Sequence, residues 1–284
     1  MLKVTKFGGS SMADAGQYRK VRDIIMADPS RKVVVVSAAG KRFKEDHKLT
    51  DLLYLCHAHT QYGVDCTPIF NMITSRYLEI RDELELNLDL ESEFEALKKR
   101  LDKKRVTQDE LVSRGEYFSA KLMAAYLGYN FVDAADWVKF NMDGTVNQRD
   151  SYEAFRDAAA GQGVVTPGFY GSMPGGHIKT FSRGGSDITG AYAAAALDAD
   201  VYENWTDVSG ILMADPRIVD DPMTIPQVTY DELRELSYSG AQPSRHHHPG
   251  GVREGRTGGR PLHHRHLRQE GLLHRPSEQA GFVE

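Results

Sequence analysis

The sequence predicts an α/β fold, a three-layer sandwich with a mostly parallel sheet, on three observations. Short β-branched runs alternate with longer helical patterns along the chain. One of those runs, Val33-Val34-Val35-Val36, is apolar at consecutive positions, as a parallel strand covered on both faces requires. Glycine turns follow directly on strand-like segments, at Gly8-Gly9-Ser10, Gly168-Phe169-Tyr170-Gly171 and Gly184-Gly185-Ser186, each expected to lead into a helix. Ligands in folds of this kind gather at the carboxyl ends of the strands.

In chain order, Leu2 to Phe7 is a short apolar strand that breaks at the first glycine turn, and a helix runs from about Ala13 to Met26. The valine run, Lys32 to Ser37, is the second strand. Helical patterns occupy Leu49 through Arg105, with charged and apolar residues alternating at helical spacing in Glu91 to Leu97. A helix over about Ser113 to Leu127 leads into a strand at Asn130-Phe131-Val132. Beyond Tyr152 another helix precedes the strand Val164 to Phe169; a polar loop with Gly175-Gly176 implies a hairpin returning to Arg183. An alanine-rich helix, about Ile188 to Leu197, is followed by the strand Val201 to Trp205 and the loop Thr206 to Gly210.

A chain of 284 residues with 40% hydrophobic residues can bury a substantial core. No run of eighteen apolar residues occurs and the first residues lack the pattern of a signal peptide, so a cytoplasmic protein off the membrane is expected. Cys56 and Cys66 are spaced too widely for a C-x-x-C motif and read as small apolar residues. The net charge of −5 does not suggest a nucleic-acid partner.

The first glycine turn gains weight from Lys6 just before it. A backbone without Cβ atoms lets anionic oxygens approach the N–H groups at a helix start, and a neighbouring ammonium can neutralise charge on a phosphoryl group. Neither a Walker A motif nor the dinucleotide G-x-G-x-x-G is present. The third turn sets Arg183, Ser186 and Asp187 within five residues: a bidentate fork for a carboxylate and an acceptor for an ammonium, which together suit an α-amino acid. Ser186 or Asp187 could equally be the N-cap of the next helix, and both roles can hold at once. Thr206 and Asp207, with Asp215-Pro216-Arg217 beyond, could hold an adenine and ribose or form a purely structural turn. Glu116 reads on composition as an ordinary solvated helix carboxylate.

The ordered set K-F-G-G-S-S, V-V-V-V-S-A, K-L-T-D-L-L, S-R-G-E, G-F-Y-G, S-R-G-G-S-D and W-T-D-V-S-G-I-L-M-A-D-P-R closely resembles the aspartate kinase family of the amino acid kinase fold, over about Lys3 to Ala241. The resemblance implies transfer of the ATP γ-phosphoryl group to the side-chain carboxylate of L-aspartate, the first step towards lysine, threonine and methionine, with Mg2+ bridging the phosphates. It implies that Lys6 stabilises the phosphoryl group in flight while Gly8, Gly9 and Ser10 cradle the phosphates. Arg183 then binds a substrate carboxylate, Asp187 and Glu116 hold the amino group, and Ser37, Thr50, Phe169, Gly184 and Ser186 line the aspartate pocket. Thr206, Asp207 and Leu212 contact the nucleotide, and Arg217 lies close to its phosphates.

The resemblance stops after Ala241, so residues 1–241 are read as the catalytic domain and 242–284 as an aberrant tail. Gln242 stands where many family members carry a nucleotide-contacting lysine. The tail holds seven His and seven Arg with many Gly and Pro, a composition expected to be disordered. Metal binding by His246-His247-His248 and an expression tag leave the Arg/Gly/Pro bias unexplained. A reading-frame error accounts for it: one nucleotide later, the three His codons encode Ile or Thr, and Gln269 to His274 can encode Lys-Lys-Asp-Tyr-Phe-Thr, similar to the start of a regulatory ACT strand in this family. The family's two ACT domains, which bind effectors and largely build its dimer, are then missing, leaving a weakened homodimer without feedback control. The expected function is an unregulated aspartate kinase. The alternatives are an impaired remnant that binds nucleotide or amino acid without turnover, and a kinase acting on glutamate.

Overall fold

The computed structural model describes residues 1–182 and 184–205, with the backbone of two short strands at 211–212 and 224–225. Five strands, β1 (Lys3–Phe7), β2 (Arg31–Val36), β3 (Asn130–Phe131), β4 (Val164–Pro167) and β7 (Val201–Trp205), form a parallel sheet in the order β3-β4-β2-β1-β7. Two antiparallel pairs accompany it: the hairpin of β5 (Tyr170–Ser172) with β6 (Ile178–Thr180), and β8 (Ile211–Leu212) with β9 (Thr224–Ile225).

The valine run is the reason the sheet has two covered faces. On β2, Val34 and Val36 join Phe7 in a core with α1 (Ala15–Met26), α2 (Leu49–Tyr62), α3 (Thr67–Glu83), α4 (Leu90–Asp102) and α5 (Gln108–Leu127). Val33 and Val35 point the other way and join Val4 in a second core with α6 (Ala134–Trp137), α7 (Gln148–Ala158) and α8 (Gly185–Ala196). All four valines are at most 2% exposed, so the expected three layers are present. Buried charge at the β1–β2–β7 junction is paired: Glu203 takes Arg31 at 2.8 Å and Lys3 at 3.2 Å, and Trp205 Nε1 donates to it at 3.0 Å.

Most expected elements stand where the sequence puts them, with four differences. Helix α5 begins at Gln108 rather than near Ser113, because Thr107 caps it by accepting from the Glu110 amide at 3.2 Å. Helix α6 was not expected; four residues are too few to show a helical period, and Asp133 starts it by accepting from the Ala135 amide. The turn at Gly168 leads into strand β5, not into a helix. The N-cap of α8 is Gly184, in left-handed geometry with φ 59° and no side-chain cap, so Ser186 and Asp187 lie inside the first turn and neither is the cap.

Strand β1 lies between β2, reached through α1 on one face, and β7, preceded by α8 on the other. The connections on its two sides thus run over opposite faces of the sheet, and folds of this kind hold their ligands in the crevice at the carboxyl end of such a switch point. The crevice is shaped by backbones in direct contact. The Gly40 amide donates to the Gly9 carbonyl at 2.8 Å, and a Cβ on Gly40 would sit 2.7 Å from the carbonyl carbon and oxygen of Gly9. Gly40→Ala should therefore destabilise the fold by about 1–3 kcal/mol, read by urea unfolding followed through tryptophan fluorescence; an unchanged midpoint would show that the two turns can separate freely.

Candidate active site

Lys6 leaves β1 on the α8 side of the sheet, as alternation with Val4 dictates. Its Nζ meets Asp187 Oδ1 at 2.7 Å, with the two side chains only 8% and 16% exposed. Asn204, the register partner of Lys6 on β7, donates from Nδ2 to the same oxygen at 3.1 Å. Oδ1 is thus doubly held; Oδ2 makes no hydrogen bond among the described residues.

Gly8, Gly9 and Ser10 turn the chain into a short 3-10 segment, Gly9–Met12. A Cβ on Gly8 would sit 3.9 Å from Lys6 Nζ, which places this turn directly beside the ammonium. The exit of β4 packs equally closely on the start of α8. Gly168 has room for no side chain, since a Cβ there would lie 2.6 Å from Ser186 Cα, and one on Gly185 would lie 2.7 Å from Phe169 Cα. Phe169 is held at φ 79°, a conformation that an L side chain rarely adopts. Its amide donates to Thr189 Oγ1 at 3.2 Å and its carbonyl accepts from the Phe181 amide at 2.8 Å.

The third group surrounds the exit of β2. Ser37 follows that strand, and its amide donates to the Phe7 carbonyl. The Ala39 carbonyl accepts from the Leu49 amide, which brings Thr50, in the first turn of α2, to the same loop. Gly115 on α5 is pressed against Ala38, where a Cβ would meet the Ala38 methyl at 2.7 Å. That contact delivers Glu116 to the β2 exit in a buried position, only 5% exposed, with Oε2 lacking any partner among the described residues. The expectation of a solvated carboxylate is overturned, because composition gives no information on what a helix face touches. Burial pushes the Glu116 carboxyl from its ordinary 4.5 up to about 8, opposed only in part by backbone hydrogen bonding at Ala38 and by the Arg114 charge.

Gly8, Gly9, Ser10, Ser37, Thr50, Phe169, Gly184, Ser186 and Asp187 are carried by the carboxyl-end loops of β1, β2 and β4 or by the helix starts packed on them, joined by Lys6 near the end of β1 and by Glu116 in the middle of α5. Arg183, Thr206, Asp207, Arg217, the side chain of Leu212, Gln242 and the tail lie outside the described residues. The sequence reading missed Asn204, Gly40 and Thr189. The small run Ala38-Ala39-Gly40 after the strand was a usable signal for the second of these; Asn204 and Thr189 carried none. A separate polar cavity of about 340 Å³, lined among others by Arg100, Arg114, Asp133 and His177, shares none of these site residues. Cys56 and Cys66 are both buried and unbonded to each other, as expected of small apolar residues.

These features define an α/β protein that presents a cation, the amides of Gly9 and Ser10 (that of Gly8 is given to the Trp205 carbonyl at 3.3 Å) and carboxylates at the switch point of a parallel sheet, a constellation suited to an anionic ligand beside an amine. The profile of the Amino acid kinase family matches residues 1–248, and the chain belongs to that family. It is 39% identical over 256 residues to Aspartokinase 3 of Bacillus subtilis (strain 168), covering 84% of this chain and 56% of that protein. The crystal structure of the Clostridium acetobutylicum aspartate kinase is similar at 48% identity and TM-score 0.79, over 84% of this chain and 55% of that one. E. coli aspartokinase III in complex with aspartate and ADP is similar at 26% identity and TM-score 0.72, over 84% and 56% respectively. The chain thus spans a little over half the length of these relatives. Among the described residues no helix is long and apolar enough to cross a membrane.

Glu116 gives a test of the site that needs no ligand. Between about pH 4.5 and 8 its folded form holds a proton that the unfolded chain has released, so this residue makes stability fall as pH rises across that window. Glu116→Gln should gain on the parent protein between pH 5 and pH 9, by an amount on the order of 2–5 kcal/mol, in urea unfolding at the two pH values. A stability difference that is flat with pH would show that the carboxyl is not held protonated.

Proposed function

We propose that this chain is the catalytic domain of an aspartate kinase, residues 1–241, moving the γ-phosphoryl group of ATP onto the side-chain carboxylate of L-aspartate. The observation that carries the reading is the Lys6–Asp187 pair beside the Gly8–Ser10 turn. It joins a phosphate-binding element to an acceptor for an amino acid's ammonium within one crevice. Support for the substrate comes from relatives that are aspartokinases, one of them crystallised with aspartate and ADP.

In this reaction an oxygen of the substrate carboxylate forms a bond to the γ-phosphorus as the bond to the β-phosphate oxygen breaks, and ADP leaves with that electron pair. The product is an acyl phosphate. The ionised carboxylate is already a nucleophile, so the protein supplies placement and charge rather than a base. Lys6 faces the transferring group, and the Gly9 and Ser10 amides of the turn donate to the phosphate oxygens. Mg2+ carried by the nucleotide's own phosphates would supply charge stabilisation to the transferring group. Asp187 Oδ2 and Glu116 hold the substrate ammonium, Arg183 its carboxylate, with Ser37, Thr50, Phe169, Gly184 and Ser186 around it. Thr206, Asp207, Leu212 and Arg217 serve the nucleotide. The cytoplasm and a place at the head of lysine, threonine and methionine synthesis belong to the same proposal, as does a frame error beginning after Ala241.

ADP release should depend jointly on L-aspartate and ATP·Mg2+, and hydroxylamine should trap the product as a hydroxamate. Lys6→Ala and Asp187→Ala should each lower kcat by at least about 100-fold with circular dichroism unchanged. Titration calorimetry that detects ATP and aspartate binding where no hydroxamate forms would sink the kinase reading in favour of an impaired remnant, and turnover with L-glutamate alone would reassign the substrate. Aspartate binding near pH 7 should also expel a proton from Glu116, because the arriving ammonium supplies the missing counter-charge. Binding heats should then vary with the ionisation enthalpy of the buffer, and should cease to do so in Glu116→Gln.

A further inference from the structure

Arg76 is a guanidinium buried to 5% exposure on α3, among the apolar residues Ile73, Tyr77 and Ile80 of the same helix. An aliphatic side chain of similar volume could fill that space with no charge to desolvate, so the cation needs a reason beyond packing. Its bonds supply one. Nη2 donates to both oxygens of Asp46 at 2.9 and 2.8 Å. Nη1 donates to the carbonyl of Gly40 at 3.2 Å and to that of Ala13 at 3.4 Å.

Those two carbonyls are informative. Ala13 closes the 3-10 segment that begins in the phosphate turn, and Gly40 is the residue whose amide holds Gly9. Gly40 is therefore gripped on both sides, by Gly9 through its N–H and by Arg76 through its C=O. Asp46 is the fixed end of the clamp: it is 7% exposed and also receives the Arg42 amide at 3.0 Å and Arg42 Nε at 2.9 Å. Burial acts to raise its pKa, but the bonds from Arg42 and the charge of Arg76 prevail and hold the carboxyl below the usual range, so it is ionised at neutral pH.

We propose that Arg76, anchored by Asp46, is a positioning residue that sets the phosphate-binding turn Gly8–Ser10 through the Gly40 and Ala13 carbonyls. It touches neither reactant and acts only through backbone placement. This inference rests on the kinase reading and adds to it a determinant of nucleotide affinity located on a helix that contributes no substrate contact.

The test is steady-state kinetics of the full chain for Arg76→Met, Arg76→Lys and Asp46→Asn, with thermal melting alongside. KM is a property of the folded fraction alone, so partial unfolding lowers apparent kcat without altering it. The clamp predicts that Arg76→Met raises KM for ATP about tenfold and lowers kcat, while KM for L-aspartate moves less than about twofold. Arg76→Lys, which keeps one charged donor, should recover part of the ATP effect, and Asp46→Asn should fall between the two. Lower melting temperatures with KM for ATP within twofold of the parent in all three variants would reduce Arg76 to a purely structural residue, as would loss of the fold in all three. Parent turnover with aspartate is the control that separates the two levels: its absence would overturn the kinase reading, whereas its presence with unmoved KM values would overturn only the clamp.

Discussion

The buried contact between Lys6 and Asp187 is the constraint on which the arrangement depends, because it joins the first strand to the last described helix through charge. Lys6 is fixed by its place on β1 and Asp187 by its place in the first turn of α8, so their 2.7 Å separation sets how far α8 can stand from the sheet. A lone ammonium or carboxylate at these exposures would be unfavourable by about 3–5 kcal/mol once its partner is gone. Asn204 stiffens the contact from the neighbouring strand, since Lys6 and Asn204 are side by side in register. The start of α8 also favours a carboxylate near its free amides.

Glycine then decides how closely the other loops can gather round that pair. Gly9 against Gly40, Gly168 against Ser186 and Gly185 against Phe169 are all approaches at which a Cβ would clash with backbone atoms. The strained φ of Phe169 belongs to the same set: two hydrogen bonds, to Thr189 and Phe181, hold a conformation that the residue would not choose alone. Three strand exits are thus brought to one place by missing side chains rather than by attractive ones. The attractive part comes from behind, where Arg76 on α3, held by Asp46 of the loop before α2, bonds a carbonyl of each of the first two exits.

How much of this the sequence displays follows from the range of each interaction. The central strands were legible because burial on both faces writes four valines in a row, and the hairpin because Gly175-Gly176 marks a turn in a polar loop. The early start of α5 was legible too, in Thr107-Gln108-Asp109-Glu110, a capping pattern that apolar periodicity alone overlooks. The cap of α8 was not, because a glycine cap has no side chain to announce it. Glu116 shows the limit most clearly. Ser113-Arg114-Gly115-Glu116 looks like a polar helix turn, and only the close packing of Gly115 on Ala38 turns that face inward. The Arg76 clamp spans 63 residues to Ala13 and 30 to Asp46, so no local pattern marks it.

The site at rest also holds an unsatisfied carboxyl that the proposed chemistry would engage. Lys6 is committed to Asp187, while Glu116 is buried with an oxygen that has no partner among the described residues and with its carboxyl protonated into the neutral range. A zwitterionic amino acid changes both conditions at once. In the proposed function its ammonium would serve Asp187 Oδ2 and draw the proton off Glu116, so Asp187 would no longer depend on Lys6, the cation paired with it among the described residues. Lys6 would then be free, under the same proposal, to turn its field onto a phosphoryl group at Gly8, where a Cβ would lie 3.9 Å from its Nζ. The exchange keeps each buried carboxylate beside a cation at every stage, which a low-dielectric crevice demands. It also means that amine and phosphate should favour each other's presence, because the ligand that replaces Lys6 at Asp187 is the one that releases Lys6 for the other.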